Sequence, residues 1–123
     1  MSKKIVIVGA LGYLGTELCK IYSGESWFNK VVAVDRRFMS GRVNQLNDWN
    51  IEFCQGDILD KDFLKNVLCD ADIVYHLAGI TDVAYTKKES NLEKDKNLIK
   101  IAIEGTHNVL NSISQKCKII FPS

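Results

Sequence analysis

Short apolar runs alternate along this chain with longer segments in which apolar residues recur every three or four positions. Five apolar runs predict short strands, at residues 5–8, 31–34, 51–54, 72–76 and 118–121. Three segments carry the helical pattern, at residues 13–23, after Asp60, and at 91–115. This alternation indicates crossover connections and a parallel sheet that is covered on both faces. We therefore expect one doubly wound α/β domain over residues 1–123, with five strands in the order 3-2-1-4-5.

The remaining pattern predicts which helix faces are buried and where the loops lie. In the first helix the expected buried face consists of Leu14, Leu18, Ile21 and Tyr22. In the long helix it consists of Leu92, Ile99, Ile103, Leu110 and Ile113. Residues 36–50 are polar and irregular, so we expect a loop there with at most one helical turn around 43–46. Asp60 has the position of a helix N-cap, and residues 81–90 are expected to form a polar loop.

The stretch IVIVGALGYLG, at residues 5–15, joins the first predicted strand to the first helix. Gly9, Gly12 and Gly15 follow one another at intervals of three. Glycines with this spacing allow a tight turn, a close approach of the backbone to phosphate groups, and close packing of the helix on the strand. The helix N-terminus adds unpaired N–H groups and partial positive charge. The pattern therefore indicates a pyrophosphate site, and the alternative is a glycine-rich turn without a ligand.

Carboxylates follow the second and third strands. Asp35 lies twenty residues after Gly15, where an acidic side chain can bind the ribose of an adenosine. Because a carboxylate repels a 2′-phosphate, Asp35 favours NAD over NADP, although Arg36 and Arg37 could pair with that phosphate. Asp57, together with Ile58, is placed to contact an adenine. The alternative roles are the start of a turn for Asp35 and helix capping for Asp57.

The fourth strand ends in the sequence HLAG. Leu77, Ala78 and Gly79 are small or apolar, and they would let the nicotinamide half of a dinucleotide pass close to the backbone. A histidine at the end of an apolar strand is more often a packing residue than a base, and we interpret His76 in that way. His107 is expected to lie on the surface of the long helix.

Composition excludes several classes of partner. Apolar residues make up 46% of the chain and charged residues 25%, with a net charge of +1. This balance offers no basis for binding nucleic acid or an anionic membrane. With no apolar run long enough for a membrane span and no signal peptide at the start, we expect a cytoplasmic protein. Four scattered cysteines without a C-x-x-C pair indicate small buried thiols and no metal site.

Six motifs in order carry a resemblance to a known family: GALGYLG, VDRR, GDILD, HLAG, EGTHNVL and IIFPS. Together they resemble the extended short-chain dehydrogenase/reductase family, the NAD-dependent nucleotide-sugar epimerases and dehydratases. The resemblance implies that NAD is the cofactor and that Asp35 binds its ribose. It implies a pyrophosphate site formed by Gly9, Gly12 and Gly15 with the backbone of Leu11, Tyr13 and Leu14. It places the adenine at Asp57 and Ile58, and the nicotinamide at Leu77, Ala78 and Gly79.

The chain also departs from the family pattern. The catalytic Y-x-x-x-K motif is absent, because Tyr13, Tyr22, Tyr75 and Tyr85 are followed four positions later by Glu17, Ser26, Gly79 and Glu89. Ser123 corresponds to the residue before the expected catalytic hydroxyl, and Ala102 replaces a family asparagine. We therefore expect the N-terminal part of a nucleotide-sugar enzyme, truncated before its catalytic helix and inactive by itself. The alternative is a non-catalytic dinucleotide-binding module or sensor.

The same resemblance suggests how copies of the chain would associate. The family dimerises through its long helix, here residues 91–115. In addition, an unpaired edge at the fifth strand would expose N–H and C=O groups to another chain. We expect homo-oligomers through one of these two surfaces.

Overall fold

The computed structural model describes residues 2–24, 29–78 and 92–121, except for the side chains of 92–95. Nine elements occur in that part of the chain. They are β1 (Lys4–Val8), α1 (Tyr13–Tyr22), β2 (Lys30–Asp35), α2 (Ser40–Asp48), β3 (Glu52–Gln55), α3 (Lys61–Leu68), β4 (Ile73–His76), α4 (Leu92–Ser112) and β5 (Lys118–Ile120). The predicted loop at 81–90 lies outside the described residues. None of the described helices is both long enough and apolar enough to span a membrane.

The five strands form one sheet in the order β3-β2-β1-β4-β5, and every neighbouring pair is parallel. This confirms the predicted doubly wound topology. Alternate residues of β1 point to opposite faces, so Ile5 and Ile7 pack with α1 and α2, whereas Val6 and Val8 pack with α3 and α4. Because helices cover both faces, the central strand is apolar throughout, as expected for a buried parallel strand.

Residues 36–50 contain a helix that the sequence pattern did not predict. The expected loop is instead α2, Ser40–Asp48, with Leu46 buried in the core. Because most of its residues are polar and Gly41 lies near its start, hydrophobic periodicity does not detect this helix. The helix is followed by Asn50, which has a φ of 58° in the left-handed region and donates its N–H to the carbonyl of Asn47 at 3.0 Å. Asparagine tolerates this conformation well and often follows the end of a helix.

The predicted buried face of α1 was partly wrong. Leu14 and Ile21 are exposed, although Leu18 and Tyr22 do pack against the core. The buried positions are Gly15 and Cys19. A glycine at the contact brings α1 so close to the sheet that the larger neighbouring side chains extend outward past the packed surface.

The predicted buried face of α4 was wrong for most of its described residues. Ile99, Ile103 and Leu110 are exposed, whereas Ile113 packs against the core as predicted. The side chain of Leu92 lies outside the described part. The buried positions are Gly105, Asn108 and Val109. Gly105 and Asn108 are not large apolar residues, so a search for hydrophobic periodicity selects the opposite face of the helix.

The remaining local predictions had mixed outcomes. Asp60 caps α3, because its Oδ1 accepts the N–H of Phe63 at 3.1 Å, as expected. Cys19 is buried, and burial raises the pKa of its thiol to about 12, so it is not a nucleophile at neutral pH. Burial also raises the pKa of Cys54 and of Cys117. Cys69 is exposed, so the prediction of buried thiols was wrong for that residue.

The packed face of α4 can be tested with two adjacent substitutions. Val109→Ala should lower the free energy of unfolding by about 2 kcal/mol, because it removes two buried methyl groups and leaves a cavity. Leu110→Ala removes more atoms from an exposed position and should change that free energy by less than about 0.5 kcal/mol. Urea denaturation of both variants measures the difference, and a larger loss for Leu110→Ala would show that the opposite face is packed.

Candidate functional site

The turn between β1 and α1 contains two glycines that the packing itself requires. Gly9 has a φ of +87°, which side chains rarely allow, and a Cβ there would lie 2.7 Å from the backbone nitrogen of Ala78. A Cβ at Gly15 would lie 2.6 Å from the Cα of Ala10. Both contacts are with backbone atoms that cannot move aside easily. These two glycines therefore allow the turn to touch the segment that follows β4, and allow α1 to touch the turn.

Gly12 differs from the other two. Its φ of −72° and ψ of 174° are open to any residue. A Cβ there would lie 3.4 Å from the carbonyl oxygen of Gly9 and 3.7 Å from Nη2 of Arg37, both ordinary contact distances. Gly12 is the N-cap of α1 and provides no side-chain cap, and the first turn of α1 contains no acidic residue. The first N–H groups of the helix, which lack partners within it, thus remain available for an anion.

The end of β2 holds this turn in place. The carbonyl of Val34 accepts the N–H groups of Gly9 and Ala10 at 2.8 and 3.1 Å. The peptide groups of Leu11 are bound on both sides, since its N–H donates to Oδ2 of Asp35 at 3.0 Å and its carbonyl accepts from the guanidinium of Arg42. The turn therefore has a defined conformation that depends on β2 and α2.

Asp35 is buried, and Arg37 lies against its carboxylate. Oδ1 accepts the backbone N–H of Arg37 at 2.9 Å and its Nε at 3.1 Å. Oδ2 accepts Nη2 of Arg37 at 3.3 Å. The Asp35 side chain is 4% exposed, whereas that of Arg37 is 47% exposed. The ion pair thus joins a fixed carboxylate to a guanidinium that reaches solvent.

A cleft opens at the carboxyl ends of β1 to β4, where ligands of open α/β sheets bind. Eight of the predicted site residues line it: Gly9, Gly12, Asp35, Arg36, Asp57, Ile58, Leu77 and Ala78. Four others do not: Leu11 is buried in the turn, Gly15 is buried in α1, and Tyr13 and Leu14 extend into solvent from the first turn of α1. Gly79 and Ser123 lie outside the described residues.

Further residues of the cleft were not among the predicted site residues. They include Val34, Gly56 and Leu59 near the strand ends, and Leu98, Ile101 and Ala102 on α4. Arg37, which was predicted only as a residue that could pair with a 2′-phosphate, also lines the cleft. The α4 residues give one side of the cleft an apolar wall. Their spacing with Gly105, at intervals of three, one and three, is that of one helix face. This spacing could have identified the side of α4 that faces the cleft. However, the large apolar residues Ile99 and Ile103 form a stronger periodic pattern on the exposed side, and the prediction followed that pattern.

Helix α4 also holds the loop that carries Asp57 and Ile58. Asn108 donates from Nδ2 to the carbonyl of Ile58 at 3.0 Å, and a Cβ at Gly105 would lie 2.6 Å from Cγ1 of Ile58. Oδ1 of Asp57 accepts the N–H of Leu59 at 3.0 Å, which stabilises the turn before α3. Asp57 thus stabilises the turn and does not cap α3, whose N-cap is Asp60, so its alternative interpretation as a helix cap was wrong; it also lines the cleft.

His76 is buried behind the cleft, and His107 is exposed, as expected. Nε2 of His76 lies 2.9 Å from Oγ1 of Thr106, and Phe121 packs edge-on against the ring, with the ring centres 5.8 Å apart. Nδ1 has no hydrogen-bond partner within the described ranges. Burial lowers the pKa of His76, so the ring is neutral in the folded protein. His76 is a packing residue and does not line the cleft.

Comparison with known proteins agrees with this geometry. The model of the 3-beta hydroxysteroid dehydrogenase/isomerase family matches residues 6–121. The chain belongs to this family. It is thereby one of the extended short-chain dehydrogenases/reductases, as the motifs indicated. Members of the family use NAD(P).

Two curated members of the extended family show the similarity. The chain is 32% identical over 117 residues to a dTDP-D-glucose 4,6-dehydratase of Dictyostelium discoideum, covering 89% of this chain and 26% of the relative. It is 31% identical over 126 residues to a UDP-N-acetyl-alpha-D-glucosaminuronate decarboxylase of Bacillus cytotoxicus, covering 100% and 37%. The chain therefore spans about a third of the length of these relatives.

A solved structure of the same fold is that of the protein Pen from Bacillus thuringiensis. It matches with a TM-score of 0.75 and 23% identity, and the match covers 98% of this chain and 37% of that one. At this identity the match supports the fold alone. The fold of this short-chain dehydrogenase/reductase is thus found within a protein more than twice as long.

The buried neutral His76 should make stability depend on pH. An unfolded histidine has its ordinary pKa of about 6.5, and the folded value is lower. Below pH 6.5 the unfolded state therefore binds a proton that the folded state excludes, so the free energy of unfolding should fall as the pH falls. His76→Gln, whose uncharged amide can replace the ring nitrogen as a hydrogen-bond partner of Thr106, should reduce this slope between pH 7 and 5 (tested by urea denaturation at several pH values).

The matched control is His107→Gln, because His107 is exposed on the same helix as Thr106. This variant should keep the slope of the unmodified protein. Equal slopes for all three proteins would show that His76 has the same pKa in the folded and unfolded states, and would contradict this prediction.

Proposed function

We propose that this chain is the dinucleotide-binding part of an NAD-dependent enzyme that epimerises or dehydrates a nucleotide sugar. The observation that carries the proposal is Gly12. The fold requires glycine at positions 9 and 15, but it sets no such requirement at position 12. A glycine there is explained by a ligand whose phosphates approach the backbone at the N-terminus of α1.

The other cleft residues suit the remaining parts of NAD. Asp35, at the end of β2, is placed to accept hydrogen bonds from the hydroxyls of the adenosine ribose. Ile58 and Leu59 offer apolar surface for the adenine, and Asp57 offers an acceptor for its amino group. Because a buried carboxylate repels a 2′-phosphate, this site favours NAD over NADP.

The ends of β1 and β4 would hold the nicotinamide half. Gly9 and Ala78 are in backbone contact there, so no large side chain fills that corner of the cleft. Bound NAD supplies a hydride acceptor. The described residues of this chain bind and orient the dinucleotide, and none of them is placed to move a proton on a substrate.

The class of substrate is inferred from the named relatives. The dehydratase and the decarboxylase described above carry sugar nucleotides in their names, and a UDP-glucose 4-epimerase of Mycoplasma genitalium is 28% identical over 119 residues. The three names describe different reactions, but each of them includes a nucleotide sugar. We therefore propose a nucleotide sugar as the substrate of the whole enzyme and leave the choice between epimerisation and dehydration open.

Substitution at Gly12 tests the binding site without disturbing the fold. Gly12→Val should lower the melting temperature by only a few degrees, because the backbone angles and the space around a Cβ accept a side chain, although valine is a weaker N-cap than glycine. It should weaken NAD binding about 100-fold, since the loss of two hydrogen bonds to phosphate costs about 1.5 kcal/mol each. Isothermal titration calorimetry with NAD measures the affinity.

The control for this experiment is Gly41→Val, which places the same side chain on exposed helix α2, where nothing lies within 4 Å of an added Cβ. It should bind NAD as the unmodified protein does. Unchanged NAD affinity in Gly12→Val would overturn the proposed pyrophosphate site.

A polypeptide of these 123 residues should bind NAD and show no turnover, because the Y-x-x-x-K motif is not among them. Chromatography of UDP-glucose and dTDP-glucose after incubation with protein and NAD should show the substrates unchanged. Turnover of either sugar would contradict this. The coding sequence downstream of Ser123 separates the two candidate functions, since a Y-x-x-x-K motif there indicates an enzyme and its absence a non-catalytic module.

A further inference from the structure

The carbonyl groups of the turn between β1 and α1 have hydrogen-bond partners of two kinds. Those of Gly9 and Gly12 accept the backbone N–H groups of Gly12 and Thr16, at 3.2 and 2.9 Å. These partners belong to the turn itself and to the beginning of α1. In contrast, the carbonyl of Leu11 accepts from the guanidinium of Arg42, which lies on α2. The orientation of the peptide group between Leu11 and Gly12 therefore depends on a side chain from another helix.

This peptide group has its two polar ends on opposite sides of the turn. The Leu11 carbonyl and the Gly12 N–H belong to one trans peptide, so they point in opposite directions. The N–H points toward the carbonyl of Gly9, a residue that lines the cleft, and the carbonyl oxygen points toward α2. The N–H bond of 3.2 Å is at the long end of the usual range, and Gly12 has no side chain to restrict rotation. Rotation of this peptide would turn a partial negative charge toward the cleft.

Arg42 opposes that rotation from behind the turn. Its side chain is half-buried, and it is not among the described residues that line the cleft. On the other side of Leu11, the N–H donates to Oδ2 of Asp35 at 3.0 Å. Leu11 is thus held between a cation on α2 and an anion on β2.

We propose that Arg42 is a positioning residue for the pyrophosphate of the dinucleotide, and that it acts by holding the Leu11 carbonyl toward α2 and away from the phosphates. This inference rests on the proposed function. Arg42 lies outside all six sequence motifs that carry the family resemblance. It gives α2 a part in binding the ligand without contact between the helix and the cleft.

Substitution of Arg42 should affect a ligand with phosphates and spare one without them. Arg42→Met keeps a long side chain but removes the guanidinium. It should weaken NAD binding about tenfold, the loss expected for one charge-assisted hydrogen bond. It should leave the affinity for adenosine, which has no phosphate, unchanged. Calorimetry measures NAD binding and an NMR titration measures adenosine binding, and an equal loss for both ligands would overturn the inference.

Hydrogen exchange of the Gly12 amide provides a readout that a general effect on stability or charge would not reproduce. In Arg42→Met this amide should exchange several-fold faster, because the N–H no longer points steadily toward Gly9. Loss of a nearby positive charge alone would slow base-catalysed exchange, so the sign of the change separates the two effects. Unchanged or slower exchange of the Gly12 amide, measured by NMR, would contradict the proposed role.

Two further variants complete the test. Lys20→Met removes one positive charge from an exposed position at the other end of α1, and it should change neither readout. An equal loss of NAD affinity in this variant would show a long-range effect of charge and overturn the inference. Arg42→Lys keeps the charge, and it also serves if Arg42→Met does not fold. In Arg42→Lys, NAD affinity and protection of the Gly12 amide should be kept or lost together, and a change in only one of them overturns the inference.

The remaining outcomes separate this inference from the proposed function. If the unmodified protein binds NAD and Arg42→Met binds it equally well, the proposed function stands and the role of Arg42 is overturned. If the unmodified protein binds neither NAD nor adenosine, both are overturned.

Discussion

The structure depends on how the end of β2 holds the turn between β1 and α1. Leu11 is bound through its N–H to Asp35 and through its carbonyl to Arg42, while Val34 accepts the two preceding N–H groups. These bonds fix where α1 begins and in which direction its first N–H groups point. Any anion that binds there does so on a surface formed in advance, so little ordering cost falls on the bound state.

The three glycines of this turn serve different requirements, although they are evenly spaced in the sequence. Gly9 and Gly15 permit backbone contacts with Ala78 and Ala10 that hold the strand, turn and helix together. Gly12 has ordinary backbone angles and space beside it. The motif thus combines two glycines that packing requires with one that it does not, and a substitution can separate them.

Much of the fold could be predicted because buried parallel strands are short and apolar throughout. The runs at 5–8 and 31–34 correspond closely to β1 and β2, and the strand order follows from right-handed crossovers. The pattern failed for α2, whose residues are mostly polar, and for α4. In α4 the buried face contains Gly105 and Asn108, which fit against Ile58 by close approach and by a hydrogen bond. Hydrophobic periodicity does not detect contacts of that kind.

In the candidate site, too, the sequence predicts where side chains lie but not what they contact. The positions of Asp35 and Asp57 at strand ends could be predicted from spacing, but the partners of their carboxylates could not. Asp35 stabilises the turn through Leu11 and is covered by Arg37, so its charge alone does not describe what a ligand meets. Any group that binds to this carboxylate would compete with an existing ion pair, and the free energy of binding would be the difference between the two sets of bonds. What the end of β2 presents to a ligand therefore depends on the Arg37 side chain as much as on the carboxylate beside it.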